Sequence, residues 1–382
     1  MKKICVVIVN RANYGRVKIL LKHIKKNKKL KLQIILASST LLKNYGRLDQ
    51  IIKKDGFKVD KKFFNHISGE NNETMAKSVG LLTIELSSVF YDLKPDLVIT
   101  IADRYETLAT ATAASYMNIC LAHIQGGEVT GSIDESVRHA VTKLSNIHLT
   151  CTRKSKRRVI QMGEDPKKVF NVGCPSIDQI KQINFSKKLS LSKYKFGVGY
   201  KVDLKQKYIV VMLHPITNNL EETILNVKNT LAAISKINLQ CIWFWPNIDA
   251  GSNQISNYIR SFRENNPNNK INFYTNFETE DFLKLIKNSS CLIGNSSSGI
   301  REGSYLRVPV VNIGSRQDSR ERGYNVLDTN NRKNKIYNSI MKQLKKKKIK
   351  INKIYGNGNS SKKILNIINK IDFDINKKFR DI

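Results

Sequence analysis

The residues from His123 to His139 carry three carboxylates (Glu128, Asp134, Glu135), one arginine (Arg138) and two histidines within seventeen positions. A packed core has no use for that density of ionisable groups. A site that moves protons on a charged substrate does, because it needs acids and bases fixed on defined faces. The segment follows an apolar run, turns on Gly126-Gly127 and then reads as the start of a helix. Ser132 followed by Glu135 predicts a capping box. Ile133, Val137, Ala140, Val141 and Leu144 predict an apolar stripe at helical spacing. Asp134 and Arg138, four apart, fall on one helix face, and Asp134 lies in the first turn, where the helix dipole favours a carboxylate. The plainer reading of the same residues is a capped surface helix with an Asp–Arg pair.

A second constellation runs from Asn295 to Glu302, as a strand end, a Gly/Ser loop and a helix start. Small residues let backbone amides approach an anion, and the hydroxyls of Ser296 and Ser297 add donors. Glu302 is placed to accept from a ribose hydroxyl pair. The loop is neither a Walker loop nor a GxGxxG fingerprint, and its plainer reading is a polar βα turn. Asn10-Arg11, Asp103-Arg104, His214-Pro215 and Trp245-Pro246-Asn247 each follow a predicted strand. Singly these are loop residues. Together they recur at carboxyl ends of strands, where open α/β sheets hold ligands, and so they point to one cleft.

The elements that must position these groups alternate almost throughout. Strands are predicted at 4–9, 32–37, 97–101, 120–124, 147–150 and 169–172, with helices at 15–26, 74–93, 105–116, 133–144 and 153–162 between them. The second half repeats the theme, with strands at 208–213, 240–245, 271–274, 291–294 and 310–313 and helices at 220–237, 252–264, 279–288 and 300–306. That alternation argues for an α/β fold with parallel sheets. Residues 186–206 are polar, rich in Lys, Ser and Gly, and read as a linker. The expected division is therefore 1–185, a linker at 186–206, a second domain at 207–355, and a C-terminal helix and tail at 356–382, with the helix over 360–371.

Composition limits the function classes. A chain of 382 residues with 41% hydrophobic content supports two ordinary domains. No apolar run approaches a membrane span, and the first apolar run is broken at Asn10-Arg11, too short for a signal-peptide core. The six cysteines are scattered, mostly within strand-like runs, with no metal-ligand spacing. They read as reduced core thiols of a cytoplasmic protein. The net charge of +35 is spread along the chain as lysine. The runs Lys187-Lys188 and Lys345 to Lys348 lack interleaved aromatics, and no nucleic-acid motif is present. The charge is read as a genome-wide Lys/Asn/Ile bias that also attracts an anionic small substrate, with neither nucleic acid nor membrane as a partner.

Taken in order, several segments resemble the hydrolysing UDP-N-acetylglucosamine 2-epimerases, in particular the sialic- and legionaminic-acid branch. They are residues 10–14, Asp103-Arg104, 123–143, Gly173-Cys174-Pro175, His214-Pro215, 246–252, 294–302, 314–317 and 353–356. The resemblance implies a GT-B fold: two Rossmann-like domains with the active site in the cleft between them. It implies elimination of UDP to a glycal and hydration with inversion at C2, giving a free N-acetylmannosamine-type sugar for nonulosonic acid synthesis. It also implies no cofactor or bound metal, and a cytoplasmic homodimer or homotetramer.

By match to the family, Asp103 and Asp134 are the catalytic carboxylates, with Arg138 and His214 supporting substrate and diphosphate. Arg11 and Arg316 are cationic contacts, Ser296, Ser297 and Glu302 nucleotide contacts, and Asn247 lines the site. The chain departs from the family at Gln125, where a titratable Glu or His is usual, at Ala102, where Gly is usual, and at Asn13. Glu128 is the group that could assume the role Gln125 cannot. The departures suggest a modified sugar (4-acetamido or 6-deoxy) or another nucleotide such as GDP. Alternatives are a weak or non-catalytic paralogue, in which Gln125→Glu raises activity, and a GT-B glycosyltransferase.

Overall fold

The computed structural model describes residues 1–43, 47–69, 71–194, 197–247, 249–346, 349–378 and 380. Ile248 of the 246–252 segment, Lys347 and Lys348 of the second lysine run, and 195–196 of the linker lie outside the described residues.

The first half alternates β1 (Lys2–Ile8), α1 (Arg11–Lys26), β2 (Leu30–Ala37), α2 (Leu48–Lys54), β3 (Lys61–Phe63), α3 (Asn72–Leu93), β4 (Leu97–Ile101), α4 (Tyr105–Tyr116), β5 (Cys120–Ile124), α5 (Asp134–Leu144), β6 (Ile147–Thr150), α6 (Arg153–Gln161), β7 (Val169–Asn171) and α7 (Ser176–Gln182). Its sheet has the order β3-β2-β1-β4-β5-β6-β7 and is parallel throughout. The second half contains β8 (Val198–Gly199), β9 (Tyr208–Met212), α8 (Leu220–Ile234), β10 (Gln240–Phe244), α9 (Ser252–Asn265), β11 (Ile271–Tyr274), α10 (Thr279–Asn288), β12 (Cys291–Gly294), α11 (Ser297–Ile300), α12 (Glu302–Leu306), β13 (Val310–Ile313), β14 (Val326–Thr329), α13 (Lys333–Leu344) and α14 (Ser360–Lys370). Its order is β14-β13-β12-β9-β10-β11-β8, parallel except for the edge strand β8.

The central strands are fully buried, which is why they read as near-continuous β-branched and aliphatic runs rather than alternating ones. Strand order reverses between β1 and β4 in one sheet and between β9 and β12 in the other. Ligands bind at such switch points, outside the carboxyl ends of the strands. The four segments that leave those ends are Val9–Arg11, 102–104, 213–215 and 295–297.

Several expectations are corrected. Helix α1 begins at Arg11, four residues early, because the Asn10 side chain caps it by accepting the Asn13 N–H at 2.7 Å. α2, β3, α7, β14 and α13 carry no prediction, and the linker contributes β8, paired antiparallel with β11. The predicted helix at 300–306 starts at Ser297 and is interrupted at Arg301. α14 packs on α1, so its Ile364 and Ile368 complete the core of the first half.

The start of α5 also differs. Ile133 holds the N-cap position without a side-chain cap. Glu135 instead accepts the Thr130 N–H at 2.5 Å, and Ser132 Oγ has no partner among the described residues. The preceding loop is bound across the cleft, where the Gly131 N–H donates to the Arg316 carbonyl at 3.3 Å. The face of α5 that is buried carries Arg138, Val141 and Thr142, while Ile133 is 48% exposed.

Candidate active site

Two adjoining cavities form one cleft between the sheets, sharing Asn10, Arg16, Arg104, His214 and Asn247 among their walls. One end is lined by Phe244, Trp245, Phe277 and Phe282 together with Arg11 and Glu302. Such an apolar aromatic wall suits a flat base. Arg11 reaches across from α1 to donate to the Phe277 carbonyl at 3.2 Å. Glu302, in the first turn of α12, keeps one buried carboxylate oxygen without a hydrogen-bond partner among the described residues.

The other end holds Asp103, Asp134, Ser296, Ser297 and Arg316. Asp103 leaves the end of β4 and bonds to Arg138, with Arg320 3.9 Å away. Burial alone would raise its carboxyl. The guanidinium of Arg138, then that of Arg320, outweighs burial and holds Asp103 well below the ordinary carboxylate range. Asp134 faces Arg316 at 3.8 Å. Here burial wins, with help from the Asp103 charge, and its carboxyl is raised to about 6. Two neighbouring carboxylates pushed apart in this way define one group that titrates near neutrality and one that stays ionised.

His214 leaves the end of β9. Its backbone is tied reciprocally to Asn295 at the end of β12, at 2.8 and 2.9 Å. Its Nδ1 accepts the Asn247 N–H at 3.4 Å, which leaves the proton on Nε2. Burial, then the Arg316 charge, lowers its pKa to about 3, so it is a neutral donor. Ser296 caps α11, and Ser297 Oγ accepts from Arg301 at 3.3 Å.

Three residues named from the sequence stand behind the cleft wall rather than on it. Gln125 is fully buried with φ +75°, and its Nε2 donates to Cys174 Sγ at 3.1 Å. Glu128 takes Arg301 at 2.6 Å and Arg320 at 3.4 Å, both from the second half. Arg138 donates to the Glu128 carbonyl at 2.6 Å as well as to Asp103. The i, i+4 partnership of Asp134 with Arg138 is therefore replaced by pairings to other elements, Arg138 inward to Asp103 and the Glu128 carbonyl and Asp134 across the cleft to Arg316.

The sequence reading missed Arg16 and Arg320, and gave Arg104 and Asp249 no role beyond membership of their segments. Arg16 projects from α1 into both cavities, with no ion pair among the described residues. Arg104 bridges the halves to Asp249 at 2.5 Å. Recognising Asn10 as a cap would have placed Arg16 on the first turns of the helix facing the cleft. Arg320 carries no such signal, since it lies in an irregular loop after β13.

Two facing Rossmann-like sheets, with arginines and a pair of unlike carboxylates lining the cleft between them, have the architecture of a GT-B enzyme. The family model for UDP-N-acetylglucosamine 2-epimerase matches residues 22–369. The chain is 33% identical over 371 residues to a UDP-N,N'-diacetylbacillosamine 2-epimerase (hydrolyzing) of Legionella pneumophila, covering 97% of this chain and 96% of that one. It is 34% identical over 330 residues to a GDP/UDP-N,N'-diacetylbacillosamine 2-epimerase (hydrolyzing) of Campylobacter jejuni, covering 86% and 84%. Among solved structures, the UDP-GlcNAc 2-epimerase of Neisseria meningitidis bound to UDP-GlcNAc superposes with a TM-score of 0.78 at 20% identity, covering 97% and 100%. The chain belongs to the hydrolysing UDP-N-acetylglucosamine 2-epimerase family, and it is an enzyme of that type.

Proposed function

We propose that the protein hydrolyses a UDP-linked 2,4-diacetamido-6-deoxy sugar with inversion at C2, releasing UDP and the free manno-configured sugar for nonulosonic acid synthesis. The observation that carries the reaction is the Asp103–Asp134 pair in one cavity, one held ionised and the other raised to about 6. The names of the relatives from Legionella and Campylobacter support the sugar. The apolar Met75, Met212 and Pro215 beside the carboxylates suit methyl groups where hydroxyls would need partners.

In this reading Asp134 takes the C2 proton while the bond from C1 to the diphosphate oxygen breaks, leaving a C1=C2 glycal and UDP. Asp103 stabilises the positive charge that builds at C1. Water then adds its hydroxyl to C1, and C2 is reprotonated from the opposite face. Arg16, Arg316 and the neutral His214 hold the departing diphosphate, with Ser296 and Ser297 at the α11 terminus. Arg11 and the aromatic wall take the base, and Glu302 the ribose. Asn247 orients His214. Gln125, Glu128 and Arg138 act from behind the wall by fixing Asp103 and closing the two halves.

The functional units are taken as 1–185 and 207–355, in a cytoplasmic homo-oligomer. Leu81, Ile84 and Tyr91 on α3, 42%, 66% and 72% exposed, offer the surface for self-association.

Incubation in deuterated water with UDP-N,N'-diacetylbacillosamine and, separately, UDP-N-acetylglucosamine tests the reading by NMR. Free manno sugar carrying deuterium at C2, formed faster from the former, is expected. An equal or higher kcat/KM for plain UDP-N-acetylglucosamine overturns the choice of sugar, and absence of C2 deuterium overturns the mechanism.

A further inference from the structure

Ala102 has φ +68°, a left-handed conformation unusual for alanine, and it immediately precedes Asp103. Its N–H donates to the Ile124 carbonyl at 2.9 Å. Its carbonyl is met by His123 Nε2 at 2.8 Å. A carbonyl only accepts, so Nε2 carries the proton. His123 is fully buried, and burial lowers its pKa to about 3, so the ring is neutral and Nδ1 is a lone pair. Nδ1 stands 3.2 Å from Thr142 Oγ1, whose single hydroxyl proton is shared between this lone pair and the Arg138 carbonyl at 2.9 Å. One imidazole therefore joins the end of β4, which supplies Asp103, to α5, which supplies Asp134 and Arg138.

Gly126 makes room for this joint. A Cβ there would fall 2.9 Å from Thr142 Oγ1 and 3.0 Å from His123 Nδ1.

We propose that His123 is a positioning residue for the epimerase reaction, holding Ala102 in its left-handed conformation and so setting Asp103 against the groups of α5. The inference rests on the reading of Asp103 and Asp134 given above. His123 lines neither cavity, so it acts through the backbone and not on the substrate. Left-handed backbone at a non-glycine residue persists only where the surroundings enforce it, and here the Ala102 N–H is held by the Ile124 carbonyl and the Ala102 carbonyl by His123.

The test is a double-mutant cycle of His123→Asn with Ala102→Gly, assayed for kcat, KM and UDP affinity. His123→Asn alone is expected to lower kcat by about 10–100-fold with KM and UDP Kd within about twofold, the pattern of an interaction made only in the transition state. Glycine adopts a positive φ without strain, so in the Ala102→Gly background the same change is expected to lower kcat by less than about threefold. An equal loss in both backgrounds means that His123 is mere packing and overturns the proposal, as does a change confined to KM. Gly126→Ala, which leaves the histidine in place, should reproduce the kcat loss, and an unchanged kcat counts against the joint. Wild-type turnover is measured first. If it is absent, the reaction reading fails by itself, and a crystal structure of His123→Asn still decides the inference: Ala102 retaining its positive φ overturns it.

Discussion

Arg316 Nη2 stands 3.8 Å from Asp134 Oδ2, the guanidinium coming from the loop after β13 and the carboxylate from the first turn of α5. They meet where the two halves touch backbone to backbone. A Cβ on Gly131 would fall 2.1 Å from the Ser315 carbonyl, so this junction tolerates no side chain. The carboxylate that titrates near neutrality is thus seated against the opposite half, and its environment depends on closure of the cleft.

Asp134 sets the acid limb of activity. With its carboxyl raised to about 6, kcat/KM should fall below that pH as the base is protonated. Asp134→Asn should lower kcat by about 10²–10⁴. The stability sign follows from linkage: a raised carboxyl stabilises the fold below its unfolded value near 4, and that contribution is lost as pH rises through 6. Asp134→Asn should therefore raise Tm at pH 8 and leave it little changed near pH 4, as calorimetry at the two pH values would test.

Glu128 is the buried anchor between halves, paired with Arg301 and Arg320. Burial alone would raise it, but Arg301, then Arg320 and Arg138, bring it down to about 2. A depressed carboxyl stabilises above its unfolded value near 4.5, and that contribution is lost as pH falls towards 2. Glu128→Gln leaves Arg301 without its carboxylate and Arg320 with only Asp103 at 3.9 Å, and should destabilise by about 3–5 kcal/mol at pH 7, with a shallower acid limb. Urea unfolding at several pH values measures both.

Arg16 should bind the diphosphate. A charge-assisted bond is worth about 1.5–3 kcal/mol, so Arg16→Ala should weaken UDP by about 10–100-fold in titration calorimetry. An unchanged Kd would remove Arg16 from the site.

Gln125 is held as an amide donor to Cys174 Sγ in a fully buried position. A carboxylate there loses that donor and adds a buried charge. Gln125→Glu should lower Tm and reduce turnover of every sugar tested. A rise in activity would restore the view of this chain as a weakened paralogue.

Lys377 caps the C-terminal end of α5. Its Nζ reaches the carbonyls of Thr142, Lys143 and Ser145 at 3.2, 2.5 and 2.8 Å and Glu164 at 2.7 Å. Lys377→Met strips the last turn of α5 of these donors and should destabilise by about 1–3 kcal/mol, with faster amide exchange across α5. Unaltered exchange there would deny the tail any part in fixing the helix.

The strands were legible because β4, β5 and β10 are buried on both faces and so spell themselves out as apolar runs. From the strands the carboxyl-end rule placed Arg11, Asp103, His214 and Asn247 in one cleft, the Gly/Ser loop pattern added Ser296, Ser297 and Glu302, and Asp134 and Arg316 came from the family resemblance. α13 was not legible, since its lysines and asparagines mask the pair of buried isoleucines that dock it. The start of α5 misled because Ser132 and Glu135 have the local pattern of a cap, while the loop before them is held at Gly131 by the Arg316 carbonyl, far away in sequence, and Glu135 takes the Thr130 N–H instead. The joint through His123 was invisible for the same reason: its partners lie 21 and 19 residues away, and only the parallel crossovers bring them together.

Helix α14 seals the core of the first half with Ile364 and Ile368, although the whole second sheet is made before it. On the ribosome, where domains ordinarily fold as they emerge, the first sheet must wait with one flank of α1 uncovered until residue 368 has cleared the exit. Maturation of the first half is therefore coupled to synthesis of the whole second sheet. A ribosome stalled within the second sheet would hold a nascent first half with its apolar flank open to chaperones.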